Sequence, residues 1–180
     1  SEPKVLYTSI HHAREPMSMS QTIFYMWYLL ENYGKDPEIT YLLNERELYF
    51  VPCLNPDGRD RYVNFFKQYA SLEGNTNVMS LEHQEPWPGG RLNHYLFDLN
   101  RDWAWLTQVE SQQRIKKYNQ WMPHVHVDVH EQGINENYYF PPAAEPYHEV
   151  ITDWQRKFQE YIGENHAKYF DANNWLYFSK

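Results

Sequence analysis

Three short stretches with strand character, residues 4–10, 47–54 and 124–130, are separated by longer stretches with helical character. Few folds accommodate that alternation. Strands that recur with helices between them favour an α/β architecture, a mixed and mostly parallel sheet flanked by helices on both faces. Helices are expected over residues 16–33, 37–44, 104–120 and 146–169, with Gly34 placed to end the first. In the last of these, Val150, Trp154, Phe158 and Tyr161 recur at spacings of three and four and form the expected apolar face. Residues 58–96 read as one long irregular stretch. That exceeds the usual length of a structureless connection and points to a functional rim of a cleft.

The chain's 180 residues suit one domain, and 42% hydrophobic content can fill a core. No apolar run approaches the roughly 18 residues of a membrane span. Much of the aromatic content, 16 Tyr, 9 Phe and 7 Trp, must be core or line a cleft. A net charge of −8 argues against nucleic acid as a partner, because phosphate binding needs a basic face. Cys53 stands alone, so no internal disulfide forms, and its apolar strand context reads as a buried, inert thiol. Compartment and oligomeric state stay open.

The chemistry concentrates at His12, Glu15 and His130, a His-x-x-Glu pair followed 115 positions later by a His. Three protein ligands leave a fourth position open for water, the pattern of a catalytic rather than a structural zinc site. The pair follows the 4–10 strand and precedes a helix, so it sits at the carboxyl end of a strand, where open α/β sheets bind ligands. Pro16 suits the first helical position and Glu15 the cap, which would hold that carboxylate at the amino end of the helix. On the residues alone, Glu15 is a metal ligand or merely a cap.

From His124 to His130 the chain alternates strictly, with Val125, Val127 and Val129 on one face and His124, His126, Asp128 and His130 on the other. An edge strand with its polar face in water has the same pattern. A rival metal reading pairs His124 with His126, about 6.5 to 7 Å apart along one face. His130, at the carboxyl end, is the better ligand.

His12-Ala13-Arg14-Glu15, Asn55-Pro56-Asp57-Gly58, Phe97-Asp98-Leu99-Asn100-Arg101 and Asp128-Val129-His130-Glu131 occur in the order and at about the spacings of the zinc metallocarboxypeptidases of the carboxypeptidase A and B type. The chain resembles most their bacterial branch, in which the third ligand stands in a His-Glu-x-Gly setting. The resemblance implies one zinc ion on His12, Glu15 and His130. It implies that Asn100 and Arg101 bind the terminal carboxylate of a peptide or protein substrate and that Asp98 orients the first ligating His. An Arg that stabilises the oxyanion is implied between the second and third motifs; Arg91 is the nearest candidate, with Arg59 and Arg61 as alternatives. Asn55-Pro56-Asp57-Gly58 itself reads as a turn.

In that family a Glu on a later strand is the general base, and no counterpart is found in the 50 residues after His130. Glu145, Glu149, Glu160 and Glu164 read as the solvated face of the last helix. Glu131 could reach a metal-bound water only if its strand has already ended, since strand neighbours point to opposite faces. The termini read as excision from a larger protein, so that residues 1–180 would be a partial carboxypeptidase catalytic domain lacking its base, weakly active or inactive alone. Two other functions fit the same residues, a zinc-dependent deacylase of N-acyl amino acids and a peptide-binding module without catalysis.

Overall fold

β1 (Lys4–Ser9) is the central strand of a three-stranded parallel sheet, with β2 (Glu47–Val51) on one side and β3 (Val125–Val129) on the other. The computed structural model describes residues 2–133 and 135–179 and divides at Glu131 into two compact units. In the first unit, α1 (Pro16–Asn32) and α2 (Pro37–Glu45) connect β1 to β2. Next come α3 (Pro56–Tyr69) and α4 (Val109–Trp121), before β3. The expected α/β layout is what forms. All described strand pairs are parallel.

Register explains which side chains share a face. Tyr7 pairs with Phe50 and Val127, and Tyr7 meets Tyr25 of α1 edge-on at 5.2 Å, so α1 covers that face. On the opposite face Tyr49 stacks on Trp121 at 4.6 Å and His126 meets Tyr118 at 5.6 Å, so α4 covers the other. Leu6, Ile10, Ala13, Leu29 and Leu99 form the buried apolar core, and fully buried His11, Asn55, Asn93 and Thr8 sit among them. A core this polar needs internal partners for each group.

The largest departure from the sequence reading lies in residues 58–96, whose first part is helical. Asn55 caps α3 by accepting the Gly58 N–H at 3.0 Å, and Pro56 takes the first helical position. That is a helix start and not an isolated turn. Beyond α3 the stretch has two short 3-10 turns, Leu81–His83 and Gly89–Arg91, and is otherwise ordered by side chains. Glu82, buried, accepts the N–H groups of Ser71 and Asn75 at 2.7 and 2.6 Å. The Arg61 guanidinium donates to the carbonyls of Gly89, Asn93 and His94.

Two helices begin later than the apolar pattern suggests. Asp102 takes the N–H groups of Thr107 and Gln108, both at 2.9 Å, and Leu106 turns to φ 53, so α4 starts at Val109 and not near 104. Cys53, just beyond β2, is half-buried and its thiol is pushed up by burial, in keeping with an inert group.

The second unit holds β4 (Tyr138–Tyr139), α5 (Asp153–Ala172) and β5 (Tyr177–Phe178). α5 starts at a capping box formed by Thr152 and Gln155, seven residues after the expected start. The expected apolar face is not the one that packs. Val150, Trp154, Phe158 and Tyr161 are exposed, whereas His166 and Phe170 pack on Phe140 and Gly163 lies against the Pro141 carbonyl. A Cβ at position 163 would stand 2.2 Å from that oxygen, so this close approach selects the face. Among the described residues no helix is long and apolar enough to cross a membrane.

Candidate metal centre

The β1–α1 loop carries the first half of the site. Ile10, fully buried, adopts φ 60, a left-handed conformation uncommon for a β-branched residue. Past this bend, His11 engages Asp128 of β3 and His12 engages Glu15. The loop is pinned from outside. Ala13 N–H donates to Gly90 O at 3.0 Å, and the Asn55 amide donates to the carbonyls of His11 at 3.2 Å and Arg91 at 3.4 Å. The Asn-Pro-Asp-Gly segment therefore supports the site directly, a duty that its turn-like composition concealed.

β3 stops at Val129, so His130 and Glu131 lie just past its carboxyl end. His130 Nδ1 is 2.9 Å from Glu15 Oε2, and His12 Nδ1 is 2.8 Å from Glu15 Oε1. The outer nitrogens face carboxylates too, His12 Nε2 to Asp98 at 3.2 Å and His130 Nε2 to Asp128 at 2.6 Å. A neutral imidazole has one N–H and can donate to only one of two such partners. Each ring needs a second positive centre on its Glu15 side, a proton or a metal ion.

Electrostatics show the same demand. Burial alone would raise the Glu15 carboxyl, but hydrogen bonds from His12 and His130 outweigh it and bring it to about 2. His130, held by Asp128 and Glu15, is pushed up to about 10. Ligand atoms of His12, Glu15 and His130 all lie within 4.8 Å of one another, against about 3.4 Å for ligands around a tetrahedral zinc. A slight contraction suffices. His11, Asp128 and His130 form a second close group, but there Asp128 already serves Thr8 and both imidazoles.

Residues 1–168 match the profile of the zinc carboxypeptidase family. The chain belongs to that family. Carboxypeptidase D of Rattus norvegicus is 34% identical over 77 residues, which cover 43% of this chain and 5% of that protein. A protein named as an inactive metallocarboxypeptidase from Sclerotinia sclerotiorum is 47% identical over 47 residues, 26% of this chain and 8% of that one. The crystal structure of a metallo-carboxypeptidase from Burkholderia cenocepacia superposes with a TM-score of 0.68 at 18% identity, covering 100% of this chain and 42% of that one. The chain thus spans less than half the length of each of these proteins. The family's zinc fits the donor set here, the Glu15 carboxylate and two imidazole nitrogens whose rings are backed by Asp98 and Asp128.

Around this cluster the other expected residues take distinct places. Asp98 Oδ1 faces His12 and accepts the Asn100 N–H at 2.9 Å, and Asp98 Oδ2 accepts from Arg91 at 2.9 Å. Burial would raise Asp98, but the positive charge of His12 and these donors hold it below the usual carboxylate range. Arg61 is committed to three backbone carbonyls and Arg59 lies over Tyr62, so of the three arginines Arg91 alone reaches the group that touches His12. Asn100 brings its amide 3.3 Å from His130 Nε2, and the exposed Arg101 side chain bonds only the neighbouring Asn100 carbonyl among the described residues. His124 Nδ1 accepts the Lys4 N–H at 3.0 Å and His126 bonds Thr8, so the His124–His126 pair holds no common point.

Glu15 faces the imidazoles, as the resemblance implies, and the cap duty that the residues alone also allowed it falls to Glu131. Glu15 occupies the cap position of α1 without a capping bond, its carboxylate being taken by the two imidazoles and by the Glu131 N–H at 3.2 Å. Glu131 performs the capping from outside the helix, accepting the N–H groups of Met17 and of Ser18. The strand has ended, as a catalytic role for Glu131 would require, but the carboxylate is spent on the helix. Glu131→Ala is expected to cost about 1 kcal/mol, and Glu131→Gln much less because its amide oxygen still accepts. Chemical denaturation of the metal-free variants measures both.

Proposed function

We propose that this domain forms the zinc-binding and carboxylate-recognising part of a peptidase that releases the last residue of a peptide or protein. The observation that carries the reading is the convergence of His12, Glu15 and His130 with a carboxylate behind each imidazole, the arrangement that sets tautomer and direction of a ligating His. A zinc ion bound there supplies Lewis acidity to a scissile carbonyl and lowers the pKa of a bound water.

The chain's own groups supply recognition and alignment. Arg101, exposed and in no salt bridge among the described residues, offers a planar fork to a terminal carboxylate. Asn100, next to His130, offers a second donor. Together they hold a peptide end so that its last amide lies by the metal face. Arg91, anchored on Asp98 at the edge of the site, is the reading's cation for charge developing on the carbonyl oxygen. Proton removal from the water needs a free carboxylate, and neither Glu15 nor Glu131 is free. Lack of a general base typically costs about 100- to 10,000-fold, so the 180-residue chain alone is expected to bind zinc and peptide ends with little turnover.

The test uses the full protein that carries this domain. A blocked dipeptide with a free carboxyl end should be hydrolysed and its C-terminal amide should not. Arg101→Ala should raise KM for the free acid about tenfold or more, the loss expected for a charge-assisted hydrogen-bond pair. Equal hydrolysis of acid and amide would refute carboxylate recognition, and preference for an N-acyl amino acid would favour the deacylase.

A further inference from the structure

His130 is steadied from behind by Asp128, and Asp128 in turn by buried Thr8 and His11, which the reading above does not use. Asp128 Oδ2 meets His130 Nε2 at 2.6 Å, and Asp128 Oδ1 accepts from Thr8 Oγ1 at 2.8 Å and from His11 Nδ1 at 2.7 Å. Thr8 and Asp128 are register partners on β1 and β3, so the sheet itself delivers the hydroxyl to the carboxylate. Thr8 spends its proton on Asp128 and can only accept from His126 Nε2, 2.9 Å away. Both Thr8 and His11 are buried, Thr8 at 1% and His11 at 0% exposure, so neither is exchanged for water. The carboxylate therefore has a fixed seat with one oxygen left for His130.

We propose that Asp128, seated by Thr8 and His11, is a positioning residue of the metal centre: it takes the Nε2–H of His130 and so reserves the Nδ1 lone pair for the ion. The inference rests on the zinc reading above. Its logic is that of tautomers. A carboxylate only accepts, so Nε2 carries a proton, and the nitrogen facing Glu15 is left for the second positive centre, which is the ion when zinc binds. In Asp128→Asn the amide oxygen is best placed facing the two donors Thr8 and His11. Its NH2 then faces His130 Nε2, which must become the acceptor. The proton moves to Nδ1, where it donates to Glu15 and blocks the ion, while the shape of the site is kept.

Zinc affinity of the 180-residue chain, measured by competition with a chromogenic chelator, tests this beside thermal unfolding of the metal-free forms. Asp128→Asn is expected to weaken zinc about 10- to 100-fold with the metal-free unfolding midpoint kept. Thr8→Val, which unseats the carboxylate, should weaken zinc by less, and Thr8→Ser should restore it. A merely structural role would lower the midpoint and leave the affinity of the folded fraction unchanged. Zinc binding by Asp128→Asn equal to that of the parent chain overturns the proposal while leaving the site reading intact. Absence of zinc binding in the parent chain refutes the site reading and with it this inference. Should Asp128→Asn fail to fold, Thr8→Val against Thr8→Ser carries the decision, and equal affinity of the two overturns the proposal.

Discussion

Replacing His130 with Ala is expected to strip the metal from a chain that otherwise purifies with about one zinc per molecule. His130 is one of three groups whose ligand atoms converge, and its removal leaves Glu15 and His12 with a two-ligand site. Changes to residues that only orient a ligand typically cost 10- to 100-fold in metal affinity, so deleting a ligand should cost more than about 100-fold. Elemental analysis of the two purified proteins reads the outcome directly, and chelator competition gives the size. His124→Ala is the control, since His124 faces the Lys4 backbone and not the site. Zinc retained by the His130 variant at the parent's stoichiometry would remove the basis for the ligand set.

Asn55→Ala is expected to be the most damaging substitution outside the ligands. The side chain, fully buried, accepts the Gly58 N–H that starts α3 and donates to the carbonyls of His11 and Arg91. Loss of three buried hydrogen bonds, with partners left unsatisfied, should cost about 2–4 kcal/mol. For a chain of this size that lowers Tm by roughly 5–15 °C. Metal affinity should fall as well, because the loop bearing His12 loses an anchor. Asn55→Asp separates the two duties. An Asp still caps the helix, yet its carboxylate would face the His11 and Arg91 carbonyls, so thermal unfolding should show a loss close to that of Ala. A loss confined to α3, with metal affinity unchanged, would mean that the turn serves the helix and not the centre.

The candidate ligands are legible in the sequence because each half of the cluster is local. His12 and Glu15 lie on one strand-to-helix loop, and the alternation from His124 to His130 already sets Asp128 and His130 on one face. The support of the site was illegible because it consists of long-range bonds, Asn55 to His11, Glu131 to α1 and Thr8 to Asp128. Each of these polar residues has an equally good local explanation, as a turn, a strand end or a solvated face. α3 was missed although its signals were present, an Asn-Pro-Asp start followed by Tyr62, Phe65, Phe66 and Tyr69 at helical spacing. Burial of the polar face of β3 had no signal along the chain, since His126 is covered by Trp103 and Tyr118, distant in sequence.

What the chain determines by itself is therefore periodic and local: the strand–helix alternation, the parallel sheet, the placing of His12 and Glu15 at a strand's carboxyl end, and the family. The tertiary structure alone decides which distant polar groups support the site. It gives Glu131 to the helix, Thr8 and His11 to Asp128 and Asn55 to the His11 carbonyl, and it packs α5 on the face where Gly163 admits a carbonyl. The reason is physical. Periodicity reports the burial of apolar surface, which composition encodes residue by residue, whereas a buried polar group is satisfied by whichever partner the closed fold brings within about 3 Å.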